Sequence, residues 1–137
     1  MLQTIPLLTI SLATFVALSL FTGDVGTPWY EHPSLQFQLM SGDLWQVSWG
    51  DLFLAFSMVL LFIEILRATR SGTVAVMNHA LSVVVFIVAL LMFITMRGYG
   101  NSVFFLFTSM TLLDFMAGFI ITTVTARRDL SVGRVEL

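Results

Sequence analysis

Four long runs of apolar residues, almost free of charge, constrain this chain more than any other feature: Thr4 to Phe21, Leu52 to Leu66 (extending to about Thr69), Val74 to Met96 and Val103 to Ala126. At a rise of about 1.5 Å per residue, each is long enough to cross a hydrocarbon core of about 30 Å, the second only just. A chain of 137 residues cannot bury that much apolar surface in a core of its own. Its residues are 58% hydrophobic and 10% charged, with a mean hydropathy of +0.96, whereas a soluble domain is about 25% charged. The surplus apolar surface needs lipid. The expected fold class is therefore all-α integral membrane: a four-transmembrane-helix antiparallel bundle forming one membrane domain over 1–137. The spans are expected at about 4–22, 51–69, 74–96 and 102–126, with an outer loop at 23–50 and a cytoplasmic tail at 127–137. The first run reads as a retained helix rather than a cleaved signal, since no Lys or Arg precedes it and Thr22-Gly23-Asp24 makes a poor cleavage site.

Orientation follows from arginine. Arg67 and Arg70 follow the second run, and Arg127, Arg128 and Arg134 follow the fourth; Arg97 alone lies on the other side. The positive-inside rule places both termini in the cytoplasm and the 23–50 loop outside. That loop holds Trp29, Trp45 and Trp49, amphipathic rings that favour the headgroup level and a docking or interfacial role. Leu35, Phe37 and Leu39 alternate with Ser34, Gln36 and Gln38. Ser41-Gly42-Asp43 supplies turn chemistry, and Trp45, Val47 and Trp49 alternate with Gln46 and Ser48. Period two on both sides of a turn predicts a short extracytoplasmic β-hairpin between helices one and two. The short links near 70–73 and 98–101 predict that helix three is an antiparallel neighbour of both helix two and helix four.

Asp114 is the most informative polar residue, because it falls near the middle of the fourth run. A charged carboxylate at the bilayer centre costs at least about 2.5–3.5 kcal/mol, so it must face protein or water, or carry a proton. Thr111, Asp114, Gly118, Thr122 and Thr125 recur at spacings of three and four and form one small, polar stripe. The opposite side carries Phe105, Met110, Phe115, Phe119 and Ile120. The third run offers the stripe His79, Ser82, Phe86, Ala89, Phe93 and Met96, and the second offers Ser57, Leu61, Glu64 and Ala68. By residue rise, Glu64 lies roughly one turn to the cytoplasmic side of the midplane and His79 about two. Asp114, Glu64, His79, Ser57, Ser82 and Thr111 thus form a candidate intramembrane polar site, with Ser57 and Ser82 the nearest donors for Asp114 in depth. Arg67, three residues after Glu64, is a candidate ion-pair partner for it. The structural reading of the same residues is a set of interhelical hydrogen bonds that fix helix register.

The remaining candidates are blander. Asp51 reads as an acid complementing a helix N-terminus, and Asp43 as a turn residue. Glu31 and His32 make a weak metal pair, and no metal or other cofactor is expected. The absence of Cys excludes disulfides and thiolate chemistry. No Lys is present and the net charge is −2, so no basic nucleic-acid patch exists. No phosphate-binding loop, nucleophile elbow or zinc-protease motif is present, and an enzyme is not expected.

Several segments carry a resemblance: Ser41-Gly42-Asp43-Leu44-Trp45 with Ser48-Trp49-Gly50-Asp51-Leu52, the run Leu61 to Arg70 (LFIEILRATR), Leu113 to Phe119 (LDFMAGF), and the closing Ala126-Arg127-Arg128-Asp129. Together they resemble small four-helix proteins of bacterial inner membranes that carry no assigned activity, over roughly the last two-thirds of the chain. The resemblance implies fold and location, and no substrate, cofactor or catalytic residue. Two functions are compatible with these features. One is a non-catalytic subunit or accessory factor, packing on itself or on a membrane protein partner. The other is an oligomeric proton or ion conduit, or small transporter, using Asp114 and Glu64.

Overall fold

The computed structural model of the chain describes residues 5–22, 26–68 and 73–133. It is mostly helical. Helix α1 spans Leu8–Thr22, α2 Trp49–Ala68, α3 Thr73–Thr95 and α4 Ser102–Gly133; strands β1 (Pro33–Gln38) and β2 (Leu44–Ser48) lie between α1 and α2. In α2, in Met77–Thr95 of α3 and in Ser102–Val124 of α4, the chain is helical, apolar and long enough to cross a membrane. Helix α1, with 15 residues, is shorter than its apolar run. Pro6, which has no amide hydrogen, precedes its first turn, and the Pro6 and Leu7 carbonyls accept from Thr9 and Ile10 there.

The expected hairpin is present. Leu35 pairs with Val47, Gln36 with Gln46, Phe37 with Trp45 and Gln38 with Leu44. The chain reverses over Leu39–Asp43, closed by the Leu39 amide on the Asp43 carbonyl at 2.9 Å. Gly42 takes a φ of 92°, left-handed backbone that glycine adopts without steric cost. The ladder runs on until the Trp49 amide donates to the His32 carbonyl at 3.1 Å, and there the strand becomes a helix without an intervening loop. Trp49 is thus the first residue of α2 rather than the last of a strand. Ser48 and Asp51 make the change possible. The Asp51 carboxylate accepts from the Ser48 amide (2.9 Å), and the Ser48 hydroxyl accepts from the Asp51 amide (3.1 Å), a reciprocal cap.

Two layers fill the space between the helices. Nearest the hairpin, Phe15 of α1 is ringed by Phe104 (4.8 Å between centroids), Trp29 (5.1 Å), Phe53 (5.3 Å) and Tyr99 (5.7 Å). Gly50 lets this layer close, because a Cβ there would meet the Tyr30 carbonyl and the Val103 side chain, each at 2.8 Å. At the other end lie Leu8 of α1, Glu64 of α2, and Asn78 and His79 of α3. The two layers together show that α1 and α3 run against α2 and α4.

Helix α4 packs along both α2 and α3, and α3 with α4 is the most extensive pair. The expectation that α2 and α3 also lie side by side is not met: they touch sparingly. A short link holds only two helix ends together, and the small residues of α4 draw both helices onto it.

Candidate functional site

Each helix turns a narrow stripe inward. On α2 it is Phe53, Ser57, Leu61, Glu64 and Ala68, at spacings of three and four. On α3 it is Asn78, His79, Ser82, Val85 and Ala89, and on α4 Phe104, Phe107, Thr108, Thr111, Asp114 and Gly118. Outside the stripes the surfaces are apolar: Phe62, Val84, Ile94, Leu113, Phe119 and Ile120 are all exposed. Polar groups inside and apolar groups outside invert the pattern of a water-soluble bundle.

Glu64 is 1% exposed. Its carboxylate accepts from the amide of Leu8 at 3.3 Å and from Nδ2 of Asn78 at 2.9 Å. Leu8 opens α1, whose first turn contains no acidic side chain. The first amides of a helix have no partner within it, and a carboxylate there both satisfies one of them and faces the positive end of the helix dipole. Glu64 therefore caps α1 from another helix. Arg67, the ion-pair partner expected for it, is exposed, and the hydrogen bonds of Glu64 come from Leu8 and Asn78 instead.

Asp114 is 2% exposed and faces protein. The Ser82 hydroxyl lies within hydrogen-bonding reach of it and also meets the Asn78 carbonyl at 3.3 Å. Glu64 and His79 are both close enough to Asp114 to interact with it electrostatically. His79 rests on Gly118, where an added Cβ would overlap the imidazole. Both ring nitrogens of His79, Oδ1 of Asn78 and the hydroxyls of Ser57 and Ser11 are buried with no hydrogen-bond partner.

The structure thus brings Glu64, His79, Ser82 and Asp114 into one cluster. Thr111 is buried beside it, but its hydroxyl is spent on the Thr108 carbonyl of its own helix at 2.7 Å. Ser57, expected as a donor to Asp114, has no partner; it lies two turns from Glu64 toward the aromatic layer. The side chain of Thr125, residues Arg70 and Arg134, and the 69–72 link lie outside the described residues. Asn78 and Ser11 escaped the sequence reading. An amide four residues before Ser82 in an apolar helix was the available signal for Asn78, and none pointed to the Leu8 amide.

Trp29, expected at the interface, is buried in the aromatic layer, and its indole donates to the Ser19 hydroxyl at 3.2 Å. Trp45 and Trp49 are about half exposed. Burial, then the neighbouring Glu31 charge, holds the Tyr30 phenol above its ordinary pKa, so it remains protonated. His32 meets the Thr27 hydroxyl at 3.2 Å. Among the described residues, no group of three or more His, Cys, Asp and Glu side chains is placed to hold a metal ion. Comparison with protein-family models, with curated proteins and with solved structures finds no match to this chain.

Proposed function

We propose that this chain is a multi-pass protein of a bacterial inner membrane and serves there as a non-catalytic subunit or accessory factor of a membrane assembly. The observation that carries the membrane reading is the inverted bundle, with carboxylates, imidazole and hydroxyls inside and large apolar side chains around the outside. Lipid tolerates that surface, and water does not. The short first helix fits the same reading. An α1 of 15 residues spans about 22 Å, so its N-terminus lies within the hydrocarbon, where water cannot satisfy its amides. Glu64 supplies one acceptor there.

The arginine asymmetry places both termini in the cytoplasm and the hairpin outside. The resemblance noted from the sequence, to small bacterial inner-membrane proteins without assigned activity, supports the location. Because the chain has no native Cys, labelling tests the orientation cleanly. In intact cells a membrane-impermeant maleimide should modify a Ser41→Cys variant and should reach Leu137→Cys only after lysis. Equal labelling of both from outside would refute the orientation. The assembly role predicts a homo-oligomer or a co-purifying membrane protein in mild detergent, read by native mass spectrometry. A lone monomer with no partner would end that reading.

A second reading, an oligomeric proton or ion conduit, draws on the meeting of Glu64, His79 and Asp114 in one interior cluster. It predicts ion flux into liposomes that Asp114→Asn abolishes. Flux that is absent, or unchanged in the variant, would dismiss it.

A further inference from the structure

The interior cluster has an excess of acceptors and of acidic groups. Its acids are Glu64 and Asp114, more than nine-tenths buried. The groups facing them are the Leu7 and Leu8 backbone at the start of α1, and Asn78, His79 and Ser82 from α3. No Arg side chain is among the buried residues of the described chain, and the chain has no Lys. Buried carboxyl groups are stable only when paired, solvated, bound to a cation or protonated.

Asn78 supplies an independent observation. It is 6% exposed and spends its amide nitrogen on Glu64, which leaves Oδ1 in the same cluster, buried and unpartnered. Turning the amide over would set Oδ1 against the carboxylate, so Glu64 fixes the orientation. An acceptor left bare beside an acid, in a protein interior, calls for a positively charged or hydrogen-bearing occupant. The available donors are carboxylate, amide carbonyl and hydroxyl oxygens, the set that suits a hard ion. Among the described residues no three His, Cys, Asp or Glu side chains are grouped as a transition-metal site would need.

We infer that Glu64, Asn78, Ser82 and Asp114 form a binding site for a small hard monovalent cation, either sodium or the proton as hydronium, in the interior of the bundle. The site deepens the conduit reading by naming its ion, yet it does not require flux: a cation held permanently would serve a subunit equally well.

The experiment uses the full chain in detergent, exchanged into choline chloride and free of alkali metals. Sodium chloride is titrated against choline chloride while thermal unfolding is followed. If sodium is the occupant, the unfolding temperature rises saturably, and Glu64→Gln, Asp114→Asn and Asn78→Ala each weaken the apparent affinity at least tenfold. Ser82→Ala, which removes a single hydroxyl, gives a smaller loss and keeps the comparison valid should a carboxylate variant fold poorly. If the proton is the occupant, sodium has no effect, and Asn78→Ala and Ser82→Ala, which remove no titratable group, each shift the pH midpoint of proton uptake. A protein indifferent to sodium, whose midpoint of proton uptake is unmoved in Asn78→Ala and Ser82→Ala, would overturn the site. Sodium or proton binding in detergent without liposome flux would keep the site and eliminate the conduit.

Discussion

At the scale of single residues, His79 packs directly on Gly118. The hypothetical Cβ at Gly118 overlaps the ring-base atoms of the imidazole, which cannot swing aside as a flexible chain end would. Gly118→Ala should therefore destabilise the protein by about 1–3 kcal/mol, the usual cost of overpacking. Thermal unfolding in detergent measures it, and the double variant Gly118→Ala/His79→Ala should recover much of the loss. An unaltered unfolding temperature in the single variant would show that the two helices do not approach through this glycine. Asp114 and Gly118 are neighbours on one stripe for related reasons: one needs a protein environment, and the other lets α3 come close enough to provide it.

The informative element is the hairpin and its junction with α2. Leu35, Phe37, Trp45 and Val47 share one face, and the Phe37 and Trp45 rings lie 6.1 Å apart across the strands. Val47 is buried, whereas Leu35, Phe37 and Trp45 are about half exposed. A two-stranded ribbon is marginal alone, and on the membrane reading this face rests at the headgroup boundary. In a variant with Trp29 and Trp49 changed to Phe, Trp45 fluorescence should be quenched by shallow brominated lipids and shielded from aqueous iodide. The reverse pattern would place the face in water or against a partner protein. The junction itself depends on Asp51. Asp51→Ala removes the acceptor of the Ser48 amide and should cost about 0.5–2 kcal/mol in thermal unfolding. A cost near zero would mean that the strand ladder alone holds the strand-to-helix change.

For the whole molecule, Glu64 matters through what it joins. Its carboxylate ties α2 to α1 through Leu8 and to α3 through Asn78. Glu64→Ala leaves both donors buried without a partner, at about 1–3 kcal/mol each. The effect should be local to one end. Hydrogen exchange should accelerate at the first amides of α1, while the aromatic layer around Phe15 stays protected. Uniform acceleration along α1 would show that the aromatic layer depends on the carboxylate as well. Glu64→Gln, which keeps an acceptor for Leu8, should exchange more slowly than Glu64→Ala.

Much of this arrangement can be read from residue order, because lipid-scale hydrophobicity, helical spacing and turn chemistry are local. The apolar runs mark α2, α3 and α4, and the spacing of Ser57, Leu61, Glu64 and Ala68 picks out the buried face of α2. Gly42 within alternating strands marks the reversal of the hairpin. The sequence also singled out Asp114 as a residue to be buried against protein, since it is a lone acid in the middle of an apolar run, and it is 2% exposed. What it left open was partnership. Arg67 is close to Glu64 along the helix but exposed, whereas the Leu8 amide, 56 residues away, is bonded to it. Trp29 has the chemistry of an interfacial anchor and ends in the core, because Phe15, Phe53 and Ser19 converge where it lies. Only the tertiary structure decided these partners, and the adjacency of α4 to both α2 and α3, because they depend on how the helices meet in space.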